Sequence, residues 1–104
     1  MSETLRRIQT LLLAGEYRIS DHAYEELYKD AILIGEVIAG IATAELVEDY
    51  RARDRVLALH RGAGDRPIHV VWAVSAERQQ AVLVTAYRPG SDLWDSDFKE
   101  RSKR

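Results

Sequence analysis

Hydrophobic residues change their spacing once along this chain, near residue 43, and that change sets the kinds of fold open to it. Before it, Leu5, Ile8, Leu11, Leu12 and Leu13 recur at helical spacing between Thr4 and Gly15, predicting an amphipathic helix ended by glycine. Ser20 or Asp21 offers an N-cap for a second helix running to about Lys29. Val37, Ile38 and Ile41 form the stripe of a third, from about Ile34 to Ala42. Tyr17-Arg18-Ile19 is a short extended piece between the first two. After the change, Ala44 to Tyr50, Arg55 to Arg61, Ile68 to Ser75 and Ala81 to Arg88 are short runs rich in valine, leucine and aromatics, separated by turn-type segments. Strands so closely spaced pair antiparallel, so the expectation is an α+β fold with N-terminal helices packed on one face of a four-stranded antiparallel sheet. Residues 1–104 read as one domain, with no internal repeat or linker.

Absence of cysteine excludes thiol catalysis and a cysteine-ligated zinc site, and for so small a domain it favours a reducing cytoplasm. The longest apolar run falls well short of the roughly 18 residues of a membrane span, and the charged N-terminus reads as mature sequence. A net charge of −2 conceals an asymmetry. Residues 20–50 carry eight acids against Lys29, a balance of −7, whereas residues 51–70 carry five arginines against Asp54 and Asp65, a balance of +3. A basic tail follows over residues 99–104. The basic patches would suit a nucleic-acid partner; solvated faces of opposite sign are the plainer account.

Strand alternation assigns the faces. Ile68, Val70, Trp72 and Val74 make an apolar core face; Val82, Val84 and Ala86 match it, and Leu57 and Leu59 look inward. That assignment puts His60, His69, Leu83, Thr85 and Tyr87 together on the opposite face. Such a cluster suits acid–base chemistry near neutral pH, and with Arg88 or Arg51 to stabilise charge the natural reaction is attack of a ribose 2′-hydroxyl on its phosphodiester, without a metal. The plainer reading makes His60 and His69 half-exposed strand residues, Tyr87 a rim aromatic and Arg88 a strand-end cap. His22, in the first turn of the second helix, is either a neutral base or a helix-start residue. Three histidines on separate elements, with no short spacing between them, argue against a metal site. Trp94 either stacks a base or docks the C-terminal arm.

Ser20-Asp21-His22-Ala23-Tyr24-Glu25-Glu26-Leu27, Val47-Glu48-Asp49-Tyr50, Ile68-His69-Val70-Val71-Trp72 and Val84-Thr85-Ala86-Tyr87-Arg88-Pro89, closing with Trp94, resemble the bacterial DUF4258 family over roughly residues 16–98. That family is similar to RelE-like and MqsR-like toxins of type II toxin–antitoxin systems, and its members resemble partners of a small YgiT-type zinc-finger protein. The chain departs from the pattern at Glu26 and Asp30, where many relatives carry arginine. The resemblance implies a RelE/barnase-like ribonuclease architecture and a toxin-like, metal-independent mRNA endoribonuclease that needs no cofactor. His69 and Tyr87 are then the expected acid–base pair, with His22 assisting, Arg88 stabilising the phosphate, and Arg51, His60, Thr85 and Trp94 contacting RNA. The competing expectation, favoured by the acidic helices, is a non-catalytic protein-binding module that retains the fold.

Overall fold

The computed structural model describes residues 2–90 and 98–99. Helix α1 spans Glu3–Leu13 and starts where Ser2 Oγ accepts the Leu5 amide at 3.1 Å; Leu5, Ile8 and Leu12 are its buried stripe. Past its C-cap, Ala14, the chain turns at Gly15, whose φ of 76° lies in the left-handed region that favours glycine. Strand β1 follows at Tyr17–Ile19, then α2 at Asp21–Lys29. Ser20 has two tasks there: its Oγ accepts the Ala23 amide and donates to the Val84 carbonyl, both at 3.0 Å, so the cap that starts α2 also fixes it to the sheet. Helix α3 spans Ile34–Ala39, with Glu36 accepting the Leu33 amide at 3.2 Å, and passes into a 3₁₀ turn at Gly40–Thr43. Among the described residues, no helix is long and apolar enough to cross a membrane.

Strands β2 (Glu45–Tyr50), β3 (Arg55–Arg61), β4 (Pro67–Ser75) and β5 (Gln80–Tyr87) pair antiparallel in sequence order. The sheet nevertheless has five strands and is mixed, because β1 lies parallel beside β5 in the order β1-β5-β4-β3-β2. This corrects the four-stranded antiparallel expectation. Three residues carry too little pattern to announce a strand, but the turn after α1 returns the chain alongside β5, whose outer amides and carbonyls need partners. Ala81 N donates to Glu16 O at 3.0 Å and Ser20 N to Leu83 O at 3.1 Å.

All three helices pack on one face of this α+β sheet. Their buried residues join Val56, Ala58, Ile68, Val70, Trp72, Val74, Ala81, Leu83 and Ala86 in one core. Two expected face assignments are therefore wrong. In β3 it is Val56, Ala58 and His60 that face the helices, while Leu57 and Leu59 face away; every residue from Val56 to His60 is buried, so alternation gave no sign of which side was which. In β5 a bulge inserts one residue, so that Thr85 lies opposite Val71 but Leu83 lies opposite Trp72. Upstream of the bulge the parity is inverted: Ala81 and Leu83, not Val82 and Val84, belong to the core.

Candidate functional site

Among the described residues no helix covers the other face of the sheet, which is organised as three cross-strand rows. Glu45, Leu59, His69 and Tyr87 form the first; Glu48, Leu57, Val71 and Thr85 the second; Tyr50, Arg55, Ala73 and Val82 the third. A second irregularity, in β2 between Leu46 and Glu48, keeps Glu45 and Tyr50 on this one face. His69 and Tyr87 are thus directly opposed, as expected, and Thr85 shares their face.

His69 is fully buried and Tyr87 half-buried. Their rings meet edge to face with centroids 5.5 Å apart, and His69 Nδ1 lies 3.4 Å from the Tyr87 hydroxyl. His69 Nε2 lies 2.6 Å from the carbonyl oxygen of Phe98. A carbonyl only accepts, so Nε2 carries a proton; in the neutral ring Nδ1 is then the acceptor and Tyr87 the donor. Lys99, next in the chain, pairs with Glu45 at 2.8 Å. Phe98 and Lys99 therefore lie along the first row.

His60 belongs to the opposite side of the sheet, and its expected place in this cluster is corrected. It is fully buried beneath α3: its Nδ1 donates to the Val37 carbonyl at 2.9 Å and its Nε2 accepts the indole N–H of Trp72 at 3.1 Å. Burial pulls its pKa down to about 4, against a smaller upward effect of the Val37 bond. A neutral ring with both nitrogens bonded inside the core is a packing group.

Arg88 also turns to the helix side. Its amide donates to Asp30 Oδ2 at 2.8 Å, Nη1 to the Pro67 carbonyl at 3.3 Å and Nη2 to Glu36 Oε1 at 3.1 Å. Glu36 is nearly buried; burial pushes its pKa up, but the Leu33 amide, the Arg88 guanidinium and the Ala63 amide outweigh it and hold the carboxyl below its usual value. Arg88 thereby joins the end of β5 to α2, α3 and the start of β4. His22 is exposed in the first turn of α2, with the sheet between it and His69. Trp94 lies outside the described residues. The three histidines occupy separate regions, and among the described residues no group of three or more histidine, cysteine or acidic side chains is placed to hold a metal.

Arg51 sits in the 3₁₀ turn Arg51–Arg53 that joins β2 to β3. With Asp49, Tyr50, Ala52, Arg53, Arg55 and Val71 it lines an open cleft of about 530 Å³ at the third-row end of the helix-free face. Val71 is common to both features, since it lines the cleft and is two residues from His69 on the same face of β4. Arg61 was missed from the sequence. It is exposed, opposite Pro67 in the β3–β4 ladder, and so diagonal to His69 on this face. Its signal in the sequence is its shared parity with Leu59, and an inward-facing Leu59 hides it.

A family model described as a domain of unknown function, DUF4258, matches residues 19–88 of the chain. No curated protein and no solved structure matches it.

Proposed function

The chain belongs to the DUF4258 family, and from that premise we propose that it is a toxin-like endoribonuclease of RelE-like architecture that cleaves mRNA by 2′-hydroxyl attack. One observation carries the reading: His69 and Tyr87 meet at hydrogen-bonding distance on the helix-free face, which farther along also carries an arginine-lined cleft. In the reaction a base of the pair takes the 2′-hydroxyl proton and the 2′-oxygen attacks phosphorus. The 5′-oxygen leaves with a proton from the other member, giving a 2′,3′-cyclic phosphate and a 5′-hydroxyl. Arg61, diagonal to His69 and in no ion pair among the described residues, is better placed than Arg88 to stabilise the added charge. Engagement of RNA requires the Phe98 carbonyl to leave His69 Nε2.

Purified protein should cut RNA to products ending in cyclic phosphate, and induced expression should arrest growth. His69→Ala should abolish both and Tyr87→Phe weaken both, with the circular dichroism spectrum unchanged. Arrest or cleavage unaffected in both variants removes the assignment.

A second reading, a non-catalytic protein-binding module, is favoured by the complete burial of His69 under Phe98 and by the engagement of Arg88 with Glu36. Under either reading the partner to test first is a YgiT-type zinc-finger antitoxin. Tyr24 and Tyr28, exposed one helical turn apart on α2 among Asp21, Glu25 and Glu26, suit a basic segment of such a protein. Co-expression with a cysteine-rich product of an adjacent reading frame should yield a stable complex that Tyr28→Glu disrupts.

A further inference from the structure

The Arg51–Arg53 turn and its cleft have no part in the chemistry at His69, yet their composition is selective. Arg51, Arg53 and Arg55 line the cleft against Asp49, a balance of +2 from three cations and one anion. All three arginines are exposed, and none is in an ion pair among the described residues. Tyr50 adds an aromatic side chain that is 39% exposed, and Val71 an apolar floor. Cations on a rim around an aromatic and an apolar surface make a site for alternating charged and flat groups, which is the chemistry of a nucleic-acid strand whose bases are not paired.

We propose that this cleft is a single-strand subsite, in which Arg53 and Arg55 hold backbone phosphates and Tyr50 stacks a base, at a fixed distance from the bond cut at His69. The proposal deepens the ribonuclease reading and rests on it for the direction of the strand. Arg55 and Leu59, the cross-strand partner of His69, are four residues apart on β3, or about 13 Å at a rise near 3.3 Å per residue. A strand crossing the second row, over Val71 and Leu57, connects the two. Position on one continuous face gives the cleft a second role: substrate too short to span the second row would be cut poorly even though it reaches His69. A base stacked within a duplex cannot offer its face to Tyr50, so the site favours an unpaired strand.

The test separates binding from cleavage by using a uniformly 2′-O-methylated oligoadenylate, which lacks the attacking hydroxyl, with a fluorescent label read by anisotropy. Wild type should bind it, and Arg53→Ala/Arg55→Ala should bind about tenfold or more weakly. The slope of log K against log salt should become shallower by about 1.4, at about 0.7 per lost single-strand phosphate contact. Arg53→Lys/Arg55→Lys should restore most of the slope, and Tyr50→Ala should weaken binding without changing it. Both arginines are exposed, so matching melting curves will show that the variants fold. No binding by wild type, equal binding and slope in the alanine double variant, or displacement by duplex RNA or polyglutamate as effective as by the single strand would each overturn the proposal. The His69→Ala cleavage result is independent of these outcomes: cleavage that needs His69 with an inert cleft refutes the subsite alone, and a binding cleft without cleavage refutes the enzyme alone.

Discussion

Acidification should destabilise this protein through His60 before it reaches most of the carboxylates. In the folded chain the ring is neutral, with Nδ1–H on the Val37 carbonyl and Nε2 accepting from Trp72. A second proton would place a charge in the core and set Nε2–H against the indole N–H, so protonation costs both desolvation and a hydrogen bond. The folded pKa is about 4 against an ordinary 6.5. Because the folded value is the lower one, the stability linked to this ring is fully present above pH 6.5 and is lost as pH falls toward 4, where the unfolded chain binds the extra proton more readily. Across that window the loss comes to about 3 kcal/mol, a large part of the roughly 5–15 kcal/mol that holds a domain together. Urea unfolding at fixed pH values from 8 to 4 would measure it, with His60→Gln as the control, since a glutamine can occupy the site without titrating. Wild type should show a steep fall between pH 6.5 and 4 that is absent from the variant. Parallel pH profiles for the two proteins would show that the ring is not held neutral, and the account of the His60 site would have to be abandoned.

Other expectations concern the joints of the fold. Arg88→Ala strands the nearly buried Glu36 carboxylate and should cost about 2–4 kcal/mol by denaturant unfolding, more than an exposed pair such as Lys29–Glu26, whose removal should cost about 0–1 kcal/mol. Ser20→Ala loses the α2 cap and the tether to Val84, for about 1–2 kcal/mol, and amide exchange should quicken first in α2. Gly62→Ala would put a Cβ 2.8 Å from Ile68 Cδ1 and against the Glu36 carboxylate; a loss of about 1–3 kcal/mol is expected, and a neutral result would mean that the turn relaxes freely.

What the sequence disclosed followed from how much each segment repeats itself. Helix α1 was legible from its regular apolar stripe, α2 from the Ser20 cap and α3 from the spacing of Val37, Ile38 and Ile41, and the strands β2 to β5 because four runs of valine, leucine and aromatics recur between turns. Pairing of β1 was not legible, since Tyr17–Ile19 is too short to alternate and its partner lies more than sixty residues away. The His69–Tyr87 pairing was read correctly because both residues lie beyond the β5 bulge, where Ala86 still faces the core; Leu83, on the other side of the bulge, was misplaced by the same rule. His60 failed for a different reason. A strand buried on both faces has no polar side to mark its orientation, and a histidine bonded to a tryptophan and a carbonyl looks in sequence like one waiting for a substrate.

Charge is where sequence and structure differ most in what they imply for RNA. Counted along the chain, residues 20–50 carry −7, which sets the protein against a polyanion. In the folded molecule three of those eight acids are in ion pairs, Glu36 with Arg88, Glu26 with Lys29 and Glu45 with Lys99, while Asp30 accepts the Arg88 amide. Asp30 and Glu36, both on the helix side, hold the strand end that carries Tyr87. On the opposite face Arg55 and Arg61 flank the first two rows, which carry Glu48 and the Lys99-paired Glu45, and Arg51 and Arg53 lie in the adjoining turn; none of these four arginines is in an ion pair among the described residues. The potential that an approaching strand meets is set by the charges on that face and their distance from His69, not by the total, because at physiological ionic strength a charge is screened over about 8 Å. An acidic protein with a locally cationic face is thus compatible with RNA binding, and its affinity should depend on those arginines far more than on its pI.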